Sequence, residues 1–296
     1  MAMKKIVNYA LGALLVLALT PAGAEEVERR IDAAAEGHVS ISNTSGSVTV
    51  SGWPRKEVEV TGELGRNVEE LIVAEQGDGV VVKVKVPKHG RSGITSELLV
   101  RVPEGSSIDV GTVSAEIEVS GVLGDQKLES VSGDIETATI GADISVEVVS
   151  GDIEIRGQGK DADTRAGSVS GDVSITRVAG VIEAGSVSGD VMIDGGSFDR
   201  ASLHTVNGEV SFYAELRDGG KLEAEAVNGE IDLRFKGGIS GRFEIDTLNG
   251  DIDNCFGPEP KRTSKYTPGL DLTFQEGDGD ARITASTVNG DVEICR

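Results

Sequence analysis

Two cysteines, a recurring acidic residue and a few Gly/Asp strings are the side chains here whose type and spacing could do chemistry. Cys255 and Cys295 each lie five residues after a glycine of one short motif, Gly250 and Gly290. If those copies stack as direct neighbours, their Cα atoms come to about 5 Å, within disulfide range. If residues 256–286 form an extra coil between them, the spacing doubles and the bridge fails. Two free thiols, or a metal pair lacking a third ligand, are the alternatives. The residue after the motif glycine is acidic in every regular copy: Asp134, Asp152, Asp172, Asp190, Glu209, Glu230, Asp251 and Asp291. Such a column could accept backbone N–H groups at a tight turn, form a solvated face that discourages sheet aggregation, or bind Ca²⁺ through oxygen ligands. Asp161 and Asp163, in GQGKDAD, and Asp278 and Asp280, in EGDGD, are the weak calcium candidates; no other metal or cofactor is expected. His38, His89 and His204 stand in separate segments without metal spacing, and no GxSxG, P-loop or HExxH pattern occurs. Carboxylate pairs such as Asp251/Asp253 recur throughout and single out no glycosidase pair. No catalytic residue is assigned, and the chain is read as a non-enzyme.

The elements that must position these residues follow from composition and repetition. The chain carries a formal charge of −22 and, with the two leader lysines set aside, −24 over residues 25–296. That disfavours nucleic acid and anionic lipid as partners, because both are polyanions. Forty glycines with only seven prolines suggest many turns. Lys4 and Lys5, the apolar run Ala10 to Leu19 and the triplet Ala22-Gly23-Ala24 have the pattern of a cleavable export signal over residues 1–24. Ten apolar residues are too few for a helix crossing a bilayer, which needs about 20. The mature chain is thus expected to lack a transmembrane segment and to be periplasmic or extracellular, in an oxidising space that permits disulfides.

The rest repeats. SVSGDIET, VVSGDIEI, SVSGDVSI, SVSGDVMI, TVNGEVSF, AVNGEIDL, TLNGDIDN and TVNGDVEI place turn glycines at Gly133, Gly151, Gly171, Gly189, Gly208, Gly229, Gly250 and Gly290. TVSAEIEV is a degenerate copy with Ala115 at that position, and NTSGSVTV (43–50) reads as an earlier relative. The steps are 18 to 21 residues, except for a last one of 40. With the glycine as position zero, positions +2 and +4 are apolar, as in Ile153 and Ile155, so this half is a strand with one buried face. Upstream, −7, −5 and −3 are apolar or small, as in Ile144, Val146 and Val148. Position −2, Val149 in that copy, is apolar too, and the pattern predicts that −3 and −2 both point inward around a corner between them. Such a unit cannot bury its face alone. Stacking in parallel would bury a continuous column, which is the logic of a β-solenoid.

The expected fold is therefore all-β: a β-helix-like solenoid of 18–21-residue coils over residues 112–296, with a β-rich N-terminal cap over 25–111. Asn207, Asn228, Asn249 and Asn289, at −1, could form a hydrogen-bonded ladder. Phe enters only from Phe198 onward, so the core should widen toward the C-terminus. Trp53 is expected to plug the core at the cap rather than serve as a ligand platform. An outer-membrane barrel would need an outward apolar band, where this chain has Asp and Glu.

An export signal, an SGW segment and V-[SN]-G-[DE]-[IV]-x-[IV] repeats ending in an NGD copy resemble the bacterial putative-adhesin, β-strand-repeat family of unknown function. The resemblance covers essentially all of residues 25–296. It implies an exported envelope protein with a β-helix-like fold and carries no catalytic residues. The functional expectation is a non-catalytic scaffold or binding surface for an envelope protein or an extended glycan. The rivals are a carbohydrate-active β-helix enzyme and a calcium-dependent module. The insert Gly257-Pro258-Glu259-Pro260 departs from the family pattern and puts the last turn in question.

Overall fold

Alternating apolar residues place one strand on each side of every motif glycine, and these strand pairs pile up in parallel. The computed structural model describes residues 25–77, 79–88, 92–264 and 268–296. The leader expected over residues 1–24, and His89, lie outside them. All regular structure among the described residues is β-strand. Strand Ile144–Ser150 pairs in parallel with Gln126–Ser132 on one edge and Asp161–Ser170 on the other, joining Val146 to Leu128 and to Ala166. Ile153–Arg156 does the same between Ile135–Ala138 and Val173–Thr176. Equivalent residues thus lie in columns, one step every ~4.8 Å.

The inward columns follow the alternation. Ile144, Val146, Val148, Ile153 and Ile155 are all buried, as are their counterparts in the neighbouring units. Each fully buried Ile or Val contributes about 1.5–3 kcal/mol relative to exposure. Phe198, Phe212, Phe235 and Phe243 continue the core at centroid spacings of 5.9 to 6.0 Å, and Phe274 stacks on Phe243 at 4.4 Å. Larger side chains do fill the later units.

Spatial order departs from chain order at both ends. The last copy, Ala281–Asn289 with Val292–Cys295, inserts between the units of Gly229 and Gly250. Among the described residues no extra parallel coil stands between the two cysteines, since Ile252–Asn254 pairs directly with Val292–Cys295. Leu270–Glu276 pairs antiparallel on the outer edge of Gly241–Asn249 and covers it, before the chain returns as Ala281–Asn289. This explains the 40-residue step. At the other end, His38–Trp53 runs parallel to Ser107–Ser120, with Gly46 opposite Ala115, so NTSGSVTV occupies a place in the columns. Its outer edge carries Gly79–Lys85 and Ser96–Pro103, then antiparallel Glu57–Leu64 and Glu25–Asp32. The charged run Glu25-Glu26-Val27-Glu28-Arg29-Arg30 on that edge suits a strand that must not recruit another.

Trp53 is not a core plug. It is half-buried, and its indole N–H donates to the Glu57 carbonyl at 2.8 Å. The guanidinium groups of Arg55 and Arg101 lie 4.9 and 5.7 Å from its ring centroid. Arg101 and Arg30 together clamp the buried carboxylate of Glu59. The indole N–H needs an acceptor, and the one it finds is backbone at the surface.

Candidate binding face

The corner of each unit is built by three columns of small polar residues. Where position zero is glycine a Cβ has no room: one added to Gly171 would meet the Gly151 carbonyl oxygen at 2.1 Å, and only the degenerate copy carries Ala115 there. Gly171 also has φ of 145°, which side chains rarely adopt. At −3, buried hydroxyls satisfy the corner carbonyls of the adjacent unit. Ser186 donates to Gly171 O at 2.9 Å, and Thr205 donates to Gly189 O at 2.9 Å. At −1, Asn228 donates to Asn207, Asn289 to Asn228 and Asn249 to Asn289, at 2.8 to 3.0 Å. This ladder follows spatial order and passes through the inserted last unit.

These contacts overturn the inward reading of position −2. The strand keeps its alternation through −3, so −2 points out, and the chain reverses phase at −1 and zero instead. Val113, Val131, Val149, Val169, Val187, Val206, Val227, Val288 and Leu248 form a solvent-facing column, each 39–50% exposed. Nine apolar side chains in line on the outside are unusual, since soluble proteins rarely expose large contiguous apolar patches.

Beside the first four valines runs a groove of about 800 Å³, lined also by Gly111, Glu129, Glu147, Arg165, Gly167 and Gly185. Position −4 is glycine in two of these units, Gly111 and Gly167, and in the next one, Gly185, which leaves room for the groove. The exposed His204 ring closes it, occupying the space a side chain at Gly185 would need.

The acidic column at +1 has a structural task. Oδ1 of Asp134, Asp152, Asp172 and Asp190 each accepts the backbone N–H of the +1 residue in the next unit, at 2.7 to 2.9 Å. The acceptance expected at a local turn instead runs between units. A second column does the same, with Asp143 accepting from the Asp163 N–H at 2.9 Å. Of the weak calcium candidates, Asp161 is paired with Arg217 at 2.5 Å, whose hydrogen bond holds its carboxyl below the usual carboxylate range. Asp163 stands in the second column. Asp278 and Asp280 lie in the turn before Ala281–Asn289, where the Asp278 N–H donates to Ser240 Oγ. The structure does not bring the 161–163 and 278–280 strings together into one metal-capable group among the described residues.

The one group of three metal-capable side chains among the described residues is Cys255, Glu293 and Cys295. Its sulfurs are bonded to each other, with Cα atoms 4.9 Å apart. The Cys255 N–H also donates to the Ile294 carbonyl, so the two cysteines sit on adjacent units. Reasoning from residue types alone overlooked the valine face. Its signal was present: −2 is apolar in every copy, next to a column already filling the core.

No curated protein matches the chain significantly. Among solved structures, a putative adhesin from Bacteroides fragilis is similar at 10% identity and a TM-score of 0.45, over 91% of this chain and 96% of that one. A putative adhesin from Parabacteroides distasonis is similar at 11% identity and a TM-score of 0.37, over 91% and 97%. A protein from the same organism named as a putative lipid binding protein gives 13% and 0.38, over 91% and 96%. The family model for Toastrack DUF4097 matches residues 37–295, nearly the whole described stack with its corner columns, and the chain belongs to that family.

Proposed function

We propose that this protein is a non-catalytic β-solenoid of the cell envelope, exported by its first 24 residues, that serves as an adhesin-like binding scaffold. The observation that carries this reading is the unbroken exposed column from Val113 to Leu248. Core formation does not require apolar residues there, because −2 lies outside the buried columns. A surface repeated at constant spacing suits an extended ligand or an elongated partner better than a small substrate. The acidic side chains that could have suggested catalysis are engaged with backbone N–H groups instead. Function must be argued from a site, and the most developed site on this chain is a face.

The test is site-specific photocrosslinking in living cells, combined with fractionation. A photoreactive residue at position 149 should give a discrete adduct with one envelope component, and the same residue at position 154, on the other outward face, should give none. Recovery of the protein in the cytosol, or the same adducts from both positions, would overturn the reading.

A further inference from the structure

We propose that the groove over the first half of the stack is a docking site for a cationic amphipathic helix, which lies along the stack with its apolar side on Val113, Val131, Val149 and Val169. This rests on the scaffold reading and names the chemistry of the partner.

Charge selects the sign of the partner. Eight residues upstream of the motif glycines runs an outward column in parallel register: Asp125, Asp143, Asp163, Val181, then Arg200, Lys221, Arg282 and Arg242. Its polarity reverses at Val181. The groove's Val131, Val149 and Val169 belong to the units of the acidic half, and its far end reaches His204, in the unit of Arg200. On the other side of the valines stand Asp134, Asp152 and Asp172. Two of the cations on this part of the face are already paired, Lys127 with Glu129 at 2.6 Å and Arg165 with Glu183 at 3.8 Å. Glu147 lines the groove without an ion-pair partner among the described residues. Lys83, at the groove's end, is the exception to the acidic surround. An apolar strip between acidic columns complements a strip of apolar side chains flanked by Lys and Arg. The basic half of the upstream column would repel such a segment and so confine it to the groove.

Spacing selects the conformation. The valines recur every ~4.8 Å along the stack. A helix presents an apolar residue once per turn, every ~5.4 Å, so across four units it drifts by only about 2 Å. An extended strand repeats on one face every ~6.8 Å and loses register within two units. Helix-in-groove docking is a recurrent mode of peptide recognition.

The test titrates the purified, disulfide-intact protein with an 18-residue Leu/Lys amphipathic helix. A Leu/Glu helix of the same pattern and an alternating Leu/Lys strand peptide are the comparisons. The Leu/Lys helix should bind at least tenfold more tightly than either. The double variant Val131→Thr/Val149→Thr should weaken binding about tenfold with an unchanged melting temperature, while Val206→Thr/Val227→Thr, in the basic half, should leave it within twofold. Equal binding of the Leu/Glu helix, tighter binding of the strand peptide, equal loss in both double variants, or no binding would each overturn the proposal. If no peptide binds but the position-149 crosslink is still formed in cells, the scaffold reading stands and the cationic-helix inference falls.

Discussion

Asp152 Oδ1 accepts the backbone N–H of Asp172 from the neighbouring unit at 2.8 Å, one link of a chain running from Asp134 to Glu209. A carboxylate column that looks repulsive thus stitches the stack. The attraction to the N–H must outweigh the repulsion of a like charge one step away, which is about 1 kcal/mol at 4–5 Å in water.

Asp152→Ala should therefore cost about 1–2 kcal/mol in urea unfolding, in line with a lost hydrogen bond to a charged acceptor. Asp152→Asn keeps an acceptor and relieves the repulsion, so it should be nearly neutral. Equal stability of both variants and the parent would show that the column is only a solvated face.

Gly171, unlike the position held by Ala115, should tolerate nothing larger. In Gly171→Ala the new methyl must displace the Gly151 backbone, not a flexible side chain. The same substitution also strains φ. We expect a loss of at least about 3 kcal/mol, in the range of special-backbone positions. Gly167→Ala, four residues earlier, meets nothing within 4 Å and should be nearly silent. Equal melting of the two variants would refute the close-approach account.

Arg217 donates to Asp161 and pairs with Asp199 at 2.8 Å. The hydrogen bond to Arg217 lowers the Asp161 pKa on folding. A lowered carboxylate pKa contributes stability that is present above the unfolded value, near pH 3.8, and lost as pH falls through the folded one. Asp161 is largely exposed and Arg217 only half-buried, so the effect belongs in a titration rather than a melt. NMR titration should show Asp161 ionising below the usual range, and returning to it in Arg217→Gln. An unmoved midpoint in that variant would separate the two residues.

How far the fold could be read from residues depends on the column. Positions −7, −5, −3, +2 and +4 alternate strictly, and alternation has one physical meaning in a half-buried strand. Position −2 does not yield to the same logic, because valine suits an exposed ladder as well as a core, so its apolar character alone does not decide its direction. The phase reversal sits at −1 and zero, where Ser186 and its counterparts cap carbonyls that only the neighbouring unit presents. The size of Trp53 suggests a core, but its N–H needs an acceptor and finds one in the Glu57 carbonyl. Spatial order at the ends was illegible for a different reason. Every unit offers the same edges, so nothing local distinguishes Gly229 followed by Gly250 from Gly229 followed by Gly290.

That ambiguity gives the Cys255–Cys295 pair its meaning. The last unit has to enter between two others, and its strand Val292–Cys295 is held on one side by Ile231–Phe235 and on the other by Ile252–Asn254. A bond between Cys255 and Cys295 closes a 40-residue loop at the point of entry. In the chain-entropy model a loop of that length stabilises by about 4 kcal/mol. The intact protein should thus have the mass of the oxidised form without reductant. Cys255→Ser/Cys295→Ser should melt lower, and its extra hydrogen exchange should concentrate in 252–254 and 292–295 while 144–176 stays protected. The inserted unit is the one whose pairing can be lost without unstacking the rest. A non-reduced mass two protons heavier would remove the bridge, and uniform loss of protection would show that the unit is not a separate element of stability.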